Sequence, residues 1–213
     1  MTHHPAITKE ALSINGPAGV LEALLEIPEA AGFRRIAVIC HPHPLHHGSM
    51  LNKVVHTVAL AMMDLGAPVL RFNFRGVGAS EGSYDEGIGE SEDALAACAW
   101  LRSRYPGSEL TLAGFSFGAT VACRAAVTAQ PARLVAIAPP PDRARALLGG
   151  RHPGCPWLVV VGDADGVVAA DEVEAWVGEL HPRPDFELLP GVDHFFHGSL
   201  TQLRRTIVRH LGA

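Results

Sequence analysis

What most limits the folds open to this chain is an alternation along its length. Short runs rich in β-branched residues, "RRIAVIC" (34–40), "PVLRFNF" (68–74), "ELTLAGF" (109–115), "RLVAIAP" (133–139), "CPWLVVVG" (155–162) and "DFELLPG" (185–191), are the strand candidates. Most of the segments between and after them, "NKVVHTVALAMMDLG", "GIGESEDALAACAWLRSRY", "GATVACRAAVTAQ", "ADEVEAWVGEL" and "FFHGSLTQLRRTIVRHLGA", carry apolar residues at helical three-and-four spacing. Ahead of them, "AITKEALSI" and "GVLEALLEIP", separated by "NGPA", read as an antiparallel pair. Strand-helix alternation predicts an α/β fold: a mostly parallel twisted sheet of about 7–8 strands with helices on both faces. In such open sheets ligands gather beyond the carboxyl ends of the strands, so the chemistry should be there.

No repeat, low-complexity tract or linker interrupts the pattern, and the 213 residues, 48% of them apolar, predict one domain over 1–213. A formal net charge of -5 and the lack of any Lys/Arg cluster argue against a nucleic-acid partner. No apolar stretch reaches the roughly 20 residues of a membrane span. The opening "MTHHPAITKE" lacks the apolar core of a secretory leader, which predicts a cytoplasmic protein with no membrane partner. Cys40, Cys98, Cys123 and Cys155 are scattered among apolar neighbours and read as reduced core thiols. Nothing in the sequence decides between monomer and homodimer.

The strand "LTLAGF" runs straight into "GFSFGAT", placing Ser116 inside Gly-x-Ser-x-Gly with a helical pattern following at once. That is the context of a nucleophile elbow, a tight turn that lifts a serine hydroxyl above the sheet. A serine hydroxyl attacks poorly unless a neutral histidine, oriented by a carboxylate, takes its proton. Later strand ends offer both: "GDADGVV" carries Asp163 and Asp165, and "GVDHFFHG" carries Asp193, His194 and His197. His194 is the better base, because it precedes the last helix in a loop able to lean over the serine. Asp193 adjoins it and reads as a solvated turn carboxylate. Asp163 lies nearest its strand end and Asp165 deeper in its turn, and position alone does not choose between them.

Together "HPHPLHHGSMLNKVV", "RFNFRGVGASEGSYDEGIGE", "GFSFGA", "GDADGVV" and "GVDHFF" resemble the small lidless bacterial serine hydrolases of the α/β-hydrolase superfamily, which are related to dienelactone hydrolases. The resemblance covers essentially the whole chain. It implies an α/β-hydrolase fold without a cap domain, with Ser116, Asp165 and His194 as catalytic residues and no cofactor. It also implies an oxyanion hole made by the backbone N–H groups of Leu45 and Phe117. Leu45 suits that role on its own account, since Pro42 and Pro44 have no N–H to donate. The family has Gly-Gly where this chain has His47-Gly48, so His47 would have to carry a positive φ.

The segment "ICHPHPLHHGSM" holds His41, His43, His46 and His47. Their spacing also invites a binuclear metal site, although Leu45 stands where such a site would want a carboxylate. For His43 and His46 the readings are loop-shaping hydrogen bonds or contact with substrate. "GVGASEG" mimics a dinucleotide fingerprint, but its glycine spacing is wrong and no helix starts within it. Arg75 is expected to tie loops together through Glu90 or Asp93.

Residues 140–156 leave room for one short helix rather than a cap, so the site should be open. The expected activity is that of a carboxylesterase or thioesterase working through an acyl-enzyme on a small-molecule ester. The alternatives are a metal-dependent hydrolase using the histidine cluster and a catalytically idle binding protein.

Overall fold

The computed structural model describes residues 6–29 and 32–212. The reading of the first ten residues therefore falls partly outside the described residues. Two strands open the chain, β1 (Ile7–Gly16) and β2 (Gly19–Pro28), paired antiparallel through a turn tightened to Pro17 and Ala18. The others are β3 (Arg35–Cys40), β4 (Val69–Phe72), β5 (Glu109–Phe115), β6 (Arg133–Ile137), β7 (Trp157–Gly162) and β8 (Asp185–Leu189). They form one sheet in the order β1-β2-β4-β3-β5-β6-β7-β8, antiparallel as far as the β2–β4 pair and parallel from β4 to β8.

Among the described residues six α-helices cover it: α1 (Lys53–Asp64), α2 (Ile88–Arg104), α3 (Phe117–Ala129), α4 (Pro141–Leu148), α5 (Ala170–Glu179) and α6 (Leu200–Leu211). The period-2 geometry of the strands divides the core into two layers. On β3, Ile36, Val38 and Cys40 pack with α2 to α5, while Ala37 and Ile39 face α1 and α6. Strand β7 divides the same way, Trp157, Val159 and Val161 against Leu158 and Val160. Central strands buried on both faces are thus continuously apolar, whereas the edge strand β1 is mostly exposed.

Only α4 lies between β6 and β7, and the fold is that of an α/β-hydrolase without a cap. The last helical pattern begins later than the sequence suggests. Residues 195–199 form turns, with Gly198 at φ 70°, and the helix starts at Leu200.

Candidate active site

Strand β5 delivers its chain into α3 through a single residue, Ser116, at φ 54° and ψ -121°. This is costly backbone for a side chain with a Cβ, and surrounding structure must impose it. Here the Ser116 N–H is tied to the Ile137 carbonyl on β6 (2.8 Å), and the flanking glycines allow backbone to touch backbone. A Cβ on Gly118 would run into the carbonyls of Cys40 and His41, and one on Gly114 into the carbonyl of Gly118. Phe117 and Gly118 open α3, where helix amides have no partner within the helix and face outward.

The turn after β7 and the loop after β8 bring the other two groups in. His194 Nε2 lies 3.1 Å from Ser116 Oγ, and His194 Nδ1 lies 2.7 Å from Asp165 Oδ2. A carboxylate only accepts, so Nδ1 carries the ring hydrogen and Nε2 is left to accept from the serine hydroxyl. Asp165 Oδ1 accepts from the Val167 and Val168 amides (2.8 and 2.7 Å), which fixes the carboxylate before it meets the ring. Burial opposes its charge, but the His194 bond and the two amides outweigh burial and hold the carboxyl below its ordinary value. The His194 ring is itself buried, packed beside Phe115 and Phe195.

Position alone left Asp163 and Asp165 open; in the structure Asp163 accepts from the Gly191 amide (2.5 Å), away from the imidazole. Asp193 is more than a solvated carboxylate: it accepts from the His197 amide and pairs with that ring at 2.6 Å.

The four-histidine loop does not gather as a metal site. Buried His41 donates from Nδ1 to the Pro42 carbonyl (2.7 Å), and its Nε2 accepts from the Phe74 amide (3.0 Å), leaving no lone pair for an ion. Among the described residues no three His, Cys, Asp or Glu side chains form a metal-binding group. His47 does carry the positive φ that a glycine would take, 59°. The Leu45 amide is already engaged, donating to His43 Nδ1 at 3.3 Å, a long contact that an anionic oxygen would outcompete.

Arg75 is the cross-tie expected, held by Asp93 through its own amide and its guanidinium (2.8–3.1 Å). Glu90 serves instead at the start of α2, accepting from the Asp85 and Gly87 amides. All four cysteines are free and buried, and burial pushes the Cys98 thiol up to about 12.

Three residues went unnoticed in the sequence. Tyr84, Glu86 and Arg143 stand around His43 and the Phe117 ring, and "GSYDEG" and "PPPDRAR" have no pattern that would flag them. The rim is uncovered: Leu45, Val167 and Phe195 are 67%, 65% and 51% exposed. A partly open pocket of about 110 Å³, lined in part by Arg35, Met62, Thr111 and Leu211, is formed by other residues altogether.

A sheet of this order, with serine, histidine and aspartate converging at its carboxyl edge, defines an α/β-hydrolase of the serine type. The family model of the X-Pro dipeptidyl-peptidases (S15 family) matches residues 19–151, and the chain belongs to that family. A protein of Rickettsia prowazekii is 38% identical over 92% of this chain and 86% of its own. Two solved structures are similar across nearly their whole length. An α/β serine hydrolase without lid from Xanthomonas campestris is 41% identical, with a TM-score of 0.85, over 93% of this chain and 91% of its own. An α/β serine hydrolase homologue from Coxiella burnetii is 42% identical, with a TM-score of 0.89, over 95% of this chain and 97% of its own. The family match spans Ser116 and the histidine loop but stops before Asp165 and His194.

Proposed function

We propose that this protein is a serine hydrolase of small carboxylic esters or thioesters, working as one domain over residues 1–213, without a cofactor, in the cytoplasm. The observation that carries the reading is the continuous chain from Ser116 Oγ through His194 to Asp165, with contacts of 3.1 and 2.7 Å. Ser116 attacks the acyl carbon as His194 Nε2 takes its proton. Asp165 steadies the imidazolium that forms. The Phe117 amide, with the Leu45 amide released from His43, stabilises the oxyanion, each donor contributing about 3 kcal/mol. His194 then protonates the leaving group, and water, deprotonated by the same ring, frees the acyl group from Ser116.

The uncovered rim supports small soluble substrates. The same groups cleave amides, and the matching family model is named for peptidases, so an X-Pro amide belongs in the assay beside the esters. The test is turnover of 4-nitrophenyl acetate and butyrate by the wild type and by His194→Ala. The expected result is hydrolysis by the wild type alone, undiminished by a chelator. Equal rates for the two proteins, or loss of activity with chelator, would overturn the reading.

A further inference from the structure

Beside the Ser116 centre lies a second polar group that the mechanism does not use. Its hydrogens can be assigned one by one. His43 Nδ1 accepts from the Leu45 amide, so Nε2 bears the ring hydrogen and donates to Tyr84 Oη (3.2 Å). Tyr84 in turn donates its only hydroxyl hydrogen to Glu86 Oε2 (3.2 Å), and its oxygen accepts a further bond from Arg143 Nη1 (3.2 Å). Tyr84 is thereby saturated, and it cannot bind substrate without breaking this order.

Arg143 is different. Its guanidinium stands 5.3 Å over the Phe117 ring, the side chain next to the nucleophile, and its bond to Tyr84 uses one of five N–H donors. Its neighbour on α4, Arg145, is already paired with carboxylates, holding Glu179 through two nitrogens and Asp142 through a third. Among the described residues the sole carboxylate within 4 Å of the Arg143 guanidinium is that of Glu86, 3.9 Å away with its side chain 74% exposed. An ion pair that long and that wet contributes little. A bidentate carboxylate on a guanidinium fork is a stronger partner. His46, exposed and edge-on to His43, stands on the same side of the loop.

We propose that Arg143 anchors a carboxylate carried by the substrate, so that the Ser116 centre is selective for acidic esters, such as the monoester of a dicarboxylic acid. The proposal rests on the serine hydrolase reading and adds to it the charge of the substrate. On binding, the substrate carboxylate displaces Glu86 from Arg143, while Tyr84 holds the guanidinium in place above Phe117.

The test compares kcat/KM for two matched pairs. One pair differs in the acyl group, 4-nitrophenyl hemiglutarate against 4-nitrophenyl pentanoate. The other differs in the leaving group, 4-acetoxybenzoate against phenyl acetate. In at least one pair the acidic ester should be preferred about tenfold or more, the worth of a charge-assisted hydrogen bond. Arg143→Gln should erase the preference and added salt should weaken it. Glu86→Gln should strengthen it, a change in the opposite direction that misfolding does not produce. Turnover of the neutral esters with no acidic preference in either pair, or a preference that survives Arg143→Gln, overturns the proposal and leaves the hydrolase reading standing. Failure of the wild type to cleave any of the four esters overturns both.

Discussion

At Ser116 a non-glycine residue sits at φ 54°, held there by the Ile137 carbonyl and by glycines that admit backbone on both sides. The strain aims the hydroxyl at His194, whose tautomer is set by Asp165. Asp165→Asn, which leaves the shape intact but favours the wrong ring hydrogen, should lower kcat by about 10⁴-fold with little change in KM, read by steady-state kinetics with 4-nitrophenyl acetate. A second residue governs stability. Burial pushes His41 from 6.5 down to about 4, so between those values only the unfolded chain takes up its proton. Its contribution is therefore whole above about pH 6.5 and is lost as pH falls toward 4, at roughly 1.4 kcal/mol per pH unit. Urea unfolding should accordingly show a stability lower at pH 5 than at pH 7 by on the order of 2 kcal/mol; equal values would contradict a neutral, buried His41. Ser116 and His194 were legible because the chemistry demands them in strand-end positions and in that order. Asp165 was not separable from Asp163 by position, because the difference lies in which turn amide each carboxylate meets: Gly191 for one, Val167 and Val168 for the other.

The elements explain why the site is built where it is. Strand β5 and helix α3 meet at an angle so tight that Gly118 lies against the end of β3, at Cys40 and His41. Gly118→Ala must push the helix off that strand end, and overpacking of this kind costs about 1–3 kcal/mol. Because α3 also carries the Phe117 amide, the substitution should depress kcat more than stability alone accounts for, measured by comparing the unfolding midpoint with the rate of the folded fraction. Full activity together with unchanged stability would show that the close approach is unimportant. The elements themselves were readable from periodicity, and the short helix between β6 and β7 from the length of the segment that holds it. What periodicity missed was local: the two-residue turn at Pro17 and Ala18, and the delayed start of α6 after the turns of residues 195–199. The Tyr84, Glu86 and Arg143 group was illegible for a related reason. It joins the loop after β4 to α4 across the sheet edge, and such pairings leave no spacing in the chain.

Taken as a whole, the molecule is a sheet with a covered core and an uncovered edge. The described residues include no helix long and apolar enough to cross a membrane. With only α4 where larger relatives of the fold insert a cap, nothing among the described residues encloses a long acyl chain, and apolar side chains such as Leu45, Val167 and Phe195 stand in solvent around the centre. Turnover of 4-nitrophenyl esters should therefore be highest for chains of about two to four carbons and should not jump above the critical micelle concentration of the longer ones. A strong preference for long chains would mean that a hydrophobic channel forms on binding. Whether Ser116 is the nucleophile is decided by mass spectrometry after treatment with a fluorophosphonate. One adduct per chain is expected, on the peptide containing Ser116 and absent from Ser116→Ala. An unlabelled wild type, or an adduct that persists in Ser116→Ala, would contradict it.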